Sequence, residues 1–119
     1  MAEMVLVHDT PANASTFVSD FRTFILGTFG GVSQSYLRQS FPDAEARIQQ
    51  DSGFGIAEEE LVVIGDYDLG TADTQLRPQV YVIVARQRSV NLALMFLYLD
   101  QAQRLKPFGM LDRLVAKVP

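Results

Sequence analysis

Arg77-Pro78-Gln79-Val80-Tyr81-Val82-Ile83-Val84-Ala85-Arg86 decides the reading of this chain. Between its two arginines lies an apolar-rich run entered through a proline, which a strand tolerates at its first residue. Alternation sends Val80, Val82 and Val84 to one face and Tyr81, Ile83 and Ala85 to the other. A strand apolar on both faces is normally covered on both faces. The centre of the fold is therefore expected to be a sheet lying inside layers or assembly contacts.

Upstream, Leu61-Val62-Val63-Ile64 is a second compact strand, approached through Glu58-Glu59-Glu60 and closed by Gly65-Asp66. The polar stretch from Gly70 to Leu76 separates the two strands, and an antiparallel pair is the simplest connection across such a loop. Val90 to Leu99 is apolar almost throughout, so periodicity does not choose between strand and helix. Its length, a Ser89 cap and the helix formers Ala93, Leu94, Met95 and Leu97 predict a buried helix to about Leu105, stopped at Lys106-Pro107. Met110, Leu111, Leu114, Val115 and Val118 then form a last amphipathic stretch.

Towards the N-terminus, Met4 to Val7 reads either as a short strand or as a loose arm, and residues 1–14 are a candidate arm. Asn13 or Ser15 is a suitable helix cap. Apolar residues from Phe17 through Val18, Phe21, Phe24, Ile25, Phe29, Val32, Tyr36 and Leu37 keep helical spacing along one wide stripe. Gly30-Gly31 predicts a kink or break, since a helix-interior glycine costs about 1 kcal/mol relative to alanine. Ser40-Phe41-Pro42-Asp43 resembles a fresh helix start, predicting a short helix or helical turn to Gln50. The expected architecture is a single α+β domain over residues 1–119, with a small antiparallel sheet packed against N-terminal and C-terminal helices.

Composition narrows the function classes. At 119 residues one domain buries roughly two-thirds of its unfolded surface. The absence of cysteine removes disulfides, thiolate catalysis and cysteine-ligated zinc. Fourteen acidic against ten basic residues give a net charge of −4, which argues against a nucleic-acid grip built from clustered Lys and Arg. It does not exclude a protein that lets DNA slide past without sticking. The opening residues lack the basic region of a signal peptide. The run from Leu92 to Leu99 is far short of the ~20 residues of a membrane helix. No membrane role is expected.

Each chemical motif has a plainer reading. His8-Asp9 looks like a metal dipeptide, but His8 is the only histidine, and a metal site or triad would have to be built on it alone. Asp66-Tyr67-Asp68 places two carboxylates on one strand face, a geometry open to a divalent cation but commoner at a solvated strand end. Glu58, Glu59 and Glu60 read as a solvated acidic rim. Gly27-Thr28-Phe29-Gly30-Gly31 has no preceding strand and no Lys, and so fails both phosphate-loop patterns. Lys106, Arg113 and Lys117 are the wet side of a terminal helix. The expectation is of no enzyme, no catalytic or metal residues and no cofactor.

The order of N-terminal apolar helix, Phe41-Pro42 break, acidic approach to Leu61–Ile64 and Arg77-Pro78-Gln79-Val80-Tyr81-Val82 strand ending at Arg86 resembles small neck proteins of tailed bacteriophages, of the tail-terminator or head–tail joining type. The resemblance spans about residues 15–105, and its sharpest motif is the Arg-Pro-x-Val-x-Val strand. It implies a virion protein that forms a homo-oligomeric ring, a hexamer at the top of the tail tube, against neighbouring neck or tail-tube proteins. DNA would pass through without specific binding. Interface candidates are then Val80, Val82, Val84, Phe96 and Tyr98, and lumen candidates Glu58, Glu59 and Glu60. Two other classes stay open. One is a dimeric bacterial regulatory or scaffold domain of the cytoplasm. The other is a small cation-dependent enzyme using Asp66, Asp68 and Glu60.

Overall fold

The computed structural model describes residues 2–72, 77–99 and 108–119. Its centre is a five-stranded, wholly antiparallel sheet in the order β1-β5-β4-β3-β2. The strands are β1 (Ala2–Val7), β2 (Glu45–Asp51), β3 (Glu59–Asp68), β4 (Gln79–Gln87) and β5 (Val90–Tyr98). Helix α1 (Pro11–Phe24), a π-helical turn (Ile25–Phe29) and helix α2 (Gly30–Leu37) lie between β1 and β2. Helix α3 (Phe108–Ala116) follows β5. The fold is a small single α+β domain, as expected.

The two faces of β4 carry two separate cores. Val82 and Val84 join Leu61, Val63, Val18 and Ile25 beneath α1 and the π turn. Tyr81, Ile83 and Ala85 join Val62, Leu92, Leu94 and Leu111 beneath α3. Phe54, Ile56 and Ala57, from the loop before β3, pack against that second core. The doubly apolar strand is thus covered on both faces by its own chain. β3 pairs with β4 from Glu59↔Arg86 to Asp66↔Gln79, the antiparallel connection expected for these two strands.

Several local expectations are corrected. Val90–Tyr98 is strand β5, not a helix; the expected helix end and its Lys106-Pro107 stop lie outside the described residues. A two-residue turn, Arg88-Ser89, folds β5 back so that Gln87 faces Val90. Arg88 takes the positive φ of 56° that tight hairpins demand. Partners on both sides, β4 and β1, then override the helical propensity of Ala93, Leu94 and Met95. Asn91 reinforces this placement. Its buried Nδ2 donates to the Ala14 carbonyl on α1 at 3.1 Å and to that of Ala85 on β4 at 3.3 Å.

Residues Pro42 to Gln50 form no helix. Ser40 sits in a turn, the Ala44 amide donates to the Phe41 carbonyl, and β2 starts at Glu45. Ala46 and Ile48 turn towards α2 while Arg47 and Gln49 lie on the other side, a period-two pattern too short to outweigh the cap-like Ser40. The Gln34 side chain accepts from the Ala46 amide at 2.9 Å, and the Arg38 Nε donates to the Ala44 carbonyl at 2.8 Å, so α2 steers the chain into β2. Finally, of the candidate arm, residues 2–14 supply strand β1 and the start of α1. The cap is Thr10, whose hydroxyl accepts from the Asn13 amide, with Pro11 in the first turn. The helix runs through Gly30-Gly31 unbroken; its irregularity is the π turn just before.

Candidate functional site

The acidic triplet is bound up in the fold. Arg86 at the end of β4 donates from Nε to Glu59 and from Nη1 to Glu58 at 2.8 Å. Hydrogen bonds from Ser15 and then Arg86 hold the Glu59 carboxyl below its ordinary pKa. Glu60 accepts the backbone amides of Phe54, Gly55, Ile56 and Ala57. Burial raises its carboxyl, but these four amides outweigh burial and leave it lowered. Glu58, Glu59 and Glu60 thus carry structural pairs: Glu58 stays exposed beside Arg86, while Glu59 and Glu60 are half-buried against Arg86 and a loop of amides.

Asp66 and Asp68 share a face, as their spacing requires, and line a polar pocket of about 340 Å³ with Glu45, Arg47 and Arg77. Asp66 accepts from Gln79 Nε2 at 3.1 Å; Asp68 accepts from the Gly70 amide at 2.9 Å and lies 3.5 Å from Arg77. Glu60, six residues along β3, is roughly 20 Å away. The three carboxylates of the cation-dependent reading do not converge. His8 sits at the end of β1 with its ring 5.8 Å from Phe17. Among the described residues no three His, Cys, Asp or Glu side chains are grouped to hold a metal ion.

What the surface offers instead is apolar. Of the interface candidates, Val84 is fully buried and Val82 is 8% exposed under α1, so neither reaches a partner. Val80 is half-buried and lines a hollow of about 370 Å³ with Val32, Tyr36, Tyr67, Pro78 and Leu97. Phe96 and Tyr98 are half-buried and stacked at 6.4 Å on the α3 face. A group of exposed side chains lies on the α1 face: Met4, Phe24, Met95, Leu97, Val32, and Tyr36 at 71%; Val5 and Val7 are exposed on the α3 face. A second hollow of about 220 Å³, between β1, β5 and Phe24, is almost wholly apolar. Met95 and Leu97 escape a helical reading of the β5 run, which gives no reason to place them on one exposed face. As a strand, its odd positions from Met95 to Leu97 project past the end of α1.

No protein family, no curated protein and no solved structure matches the chain. No described helix is long and apolar enough to cross a membrane.

Proposed function

We propose that this chain is a structural subunit that works by self-association and performs no catalysis. Its specific setting is the neck or tail of a tailed-phage virion, as a tail-terminator or head–tail connector component in a ring around the DNA path. The observation that carries self-association is the apolar face from Met4 through Phe24, Met95 and Leu97 to Tyr36. Isolated exposed apolar residues are ordinary, but a contiguous run flanked by two apolar hollows marks a contact surface. The phage setting is supported by the strand motif Arg77–Arg86 and the net charge of −4. The lumen candidates Glu58, Glu59 and Glu60 are also paired within the fold, and Glu58 is the one that stays exposed.

Native mass spectrometry over a concentration series tests this. A hexamer supports the ring and a dimer supports the scaffold alternative, which the exposed, little-charged strand β1 favours. Leu97→Lys combined with Tyr36→Lys is expected to preserve the fold and lower the assembly state. A wild-type chain that stays monomeric at every concentration, and is absent from assembled particles, overturns the proposal.

A further inference from the structure

The two edges of the sheet are unlike. β2 carries Glu45, Arg47 and Asp51, the kind of charge that blunts an edge against pairing. β1, Ala2-Glu3-Met4-Val5-Leu6-Val7, has one charge, no proline and no bulge, and its register with β5 is regular from Ala2↔Met95 to Val7↔Val90. Val5 is 51% exposed and Val7 77%. In an antiparallel ladder, successive residues point their backbone groups alternately to one neighbour and to the other. The His8 amide donates to the Ser89 carbonyl at 2.9 Å, so His8, Leu6, Met4 and Ala2 face β5. Glu3, Val5 and Val7 therefore aim their N–H and C=O groups away from the sheet.

We infer that β1 is a self-pairing edge, on which two copies join antiparallel with Val5 opposite Val5 at a two-fold axis. This rests on the self-association reading above and names its edge and register. The occupant follows from complementarity of the strand with itself. A register centred on Val5 sets Glu3 against Val7, and so matches all three outward-facing residues of one copy to the three of the other. Shifting the centre to Met4 or Leu6 leaves one of the three without a partner inside the strand. Centring on Val5 also keeps the two Glu3 carboxylates apart and covers Val5 and Val7 on the α3 face. On the α1 face it puts Met4 against Leu6, continuing the apolar surface that runs through Met95 and Phe24. The product is one continuous ten-stranded sheet, with an isologous contact distinct from the Tyr36–Leu97 end of the apolar face. The two surfaces are independent, so a paired edge leaves the other free for a ring contact.

The chain has no cysteine, so single introduced thiols report the register cleanly. Directly opposed, backbone-bonded residues have Cα atoms about 5.5 Å apart, within disulfide reach. Val5→Cys is expected to form an interchain disulfide under mild oxidation, reversed by reductant. Val7→Cys is not, because its symmetry mate lies roughly 13 Å along the strand. Val5→Pro removes an N–H that β5 does not use, and is expected to weaken dimerisation at least tenfold in sedimentation with an unchanged far-UV spectrum. Val5→Lys gives the same readout if the proline variant does not fold. Equal cross-linking of Val5→Cys and Val7→Cys overturns the register. An oligomeric wild type whose Val5→Cys form does not cross-link, and whose Val5→Lys form stays oligomeric, overturns the edge while leaving self-association intact. A strictly monomeric wild type overturns both.

Discussion

Four backbone amides converge on the Glu60 carboxylate, and this one side chain orders the loop that packs Phe54, Ile56 and Ala57 against the α3-side core. Gly55 supports the same loop with a φ of 71°, and a Cβ at Gly53 would lie 2.8 Å from Glu60 Oε1. Glu60→Ala leaves these donors without their acceptor and is expected to cost about 2 kcal/mol, measured by urea unfolding. The pH dependence follows from the lowered pKa. Glu60 contributes its full stabilisation above its unfolded value near 4.5, and the contribution is lost as pH falls through the lower folded value. Glu60→Gln should therefore flatten the acid limb of the stability profile below about pH 4.5, and an unchanged limb would refute the role. Val84 makes the apolar counterpart. Fully buried under α1, it has no route to water, and Val84→Asp is expected to cost about 3 kcal/mol or more in the same titration.

At the scale of elements, the helical run from Pro11 to Leu37 bends its side-chain register through the π turn and then passes close over β2. Gly30 is the point of approach: a Cβ there would meet Ile48 Cγ1 at 3.0 Å, whereas Gly31 opens on empty space. The adjacent glycines are therefore expected to respond in opposite directions to alanine. Gly31→Ala should gain about 0.5–1 kcal/mol from helix propensity. Gly30→Ala should lose stability, because the branched Ile48 has to yield and pull β2 from α2. Thermal unfolding midpoints of the two single variants decide the matter, and equal gains would show that α2 does not press on β2. The β4–β5 hairpin is a second element-scale device. Glu58 accepts from both the Arg86 guanidinium and the Arg88 amide, so the end of β3 is tied to the turn that sets the register of β5.

For the whole molecule, one sheet separates two cores, and the side chains left exposed along it include Met4, Val5 and Val7 on β1 and Met95 and Leu97 on β5. The net charge of −4 opposes a nucleic-acid grip, which needs clustered Lys and Arg. In electrophoretic mobility shifts at physiological salt, the protein is expected to leave double-stranded DNA unretarded. Retardation that falls steeply with added salt would reject the reading of DNA passing without adhesion. Self-association and DNA indifference are separate expectations, the first carried by apolar surface and the second by charge.

Alternation along Val80–Ala85 was enough to determine a two-faced central strand, its antiparallel partner Leu61–Ile64, the long N-terminal helix and the α+β class. Those are local patterns, written in residues a few positions apart. Tertiary structure alone decided β5 and β2, because a uniform apolar run carries no period of its own and the period of a short mixed one is too brief to decide. Each becomes a strand through hydrogen bonds to partners, β5 to β4 and β1, β2 to β3. The same holds for the candidate site. Exposure of Met95, Leu97 and Tyr36, and capture of Glu58, Glu59 and Glu60 by Arg86 and a loop of amides, depend on which distant groups the fold brings alongside. Sequence spacing specifies the face on which a side chain lies; only the packed neighbours specify whether anything covers it.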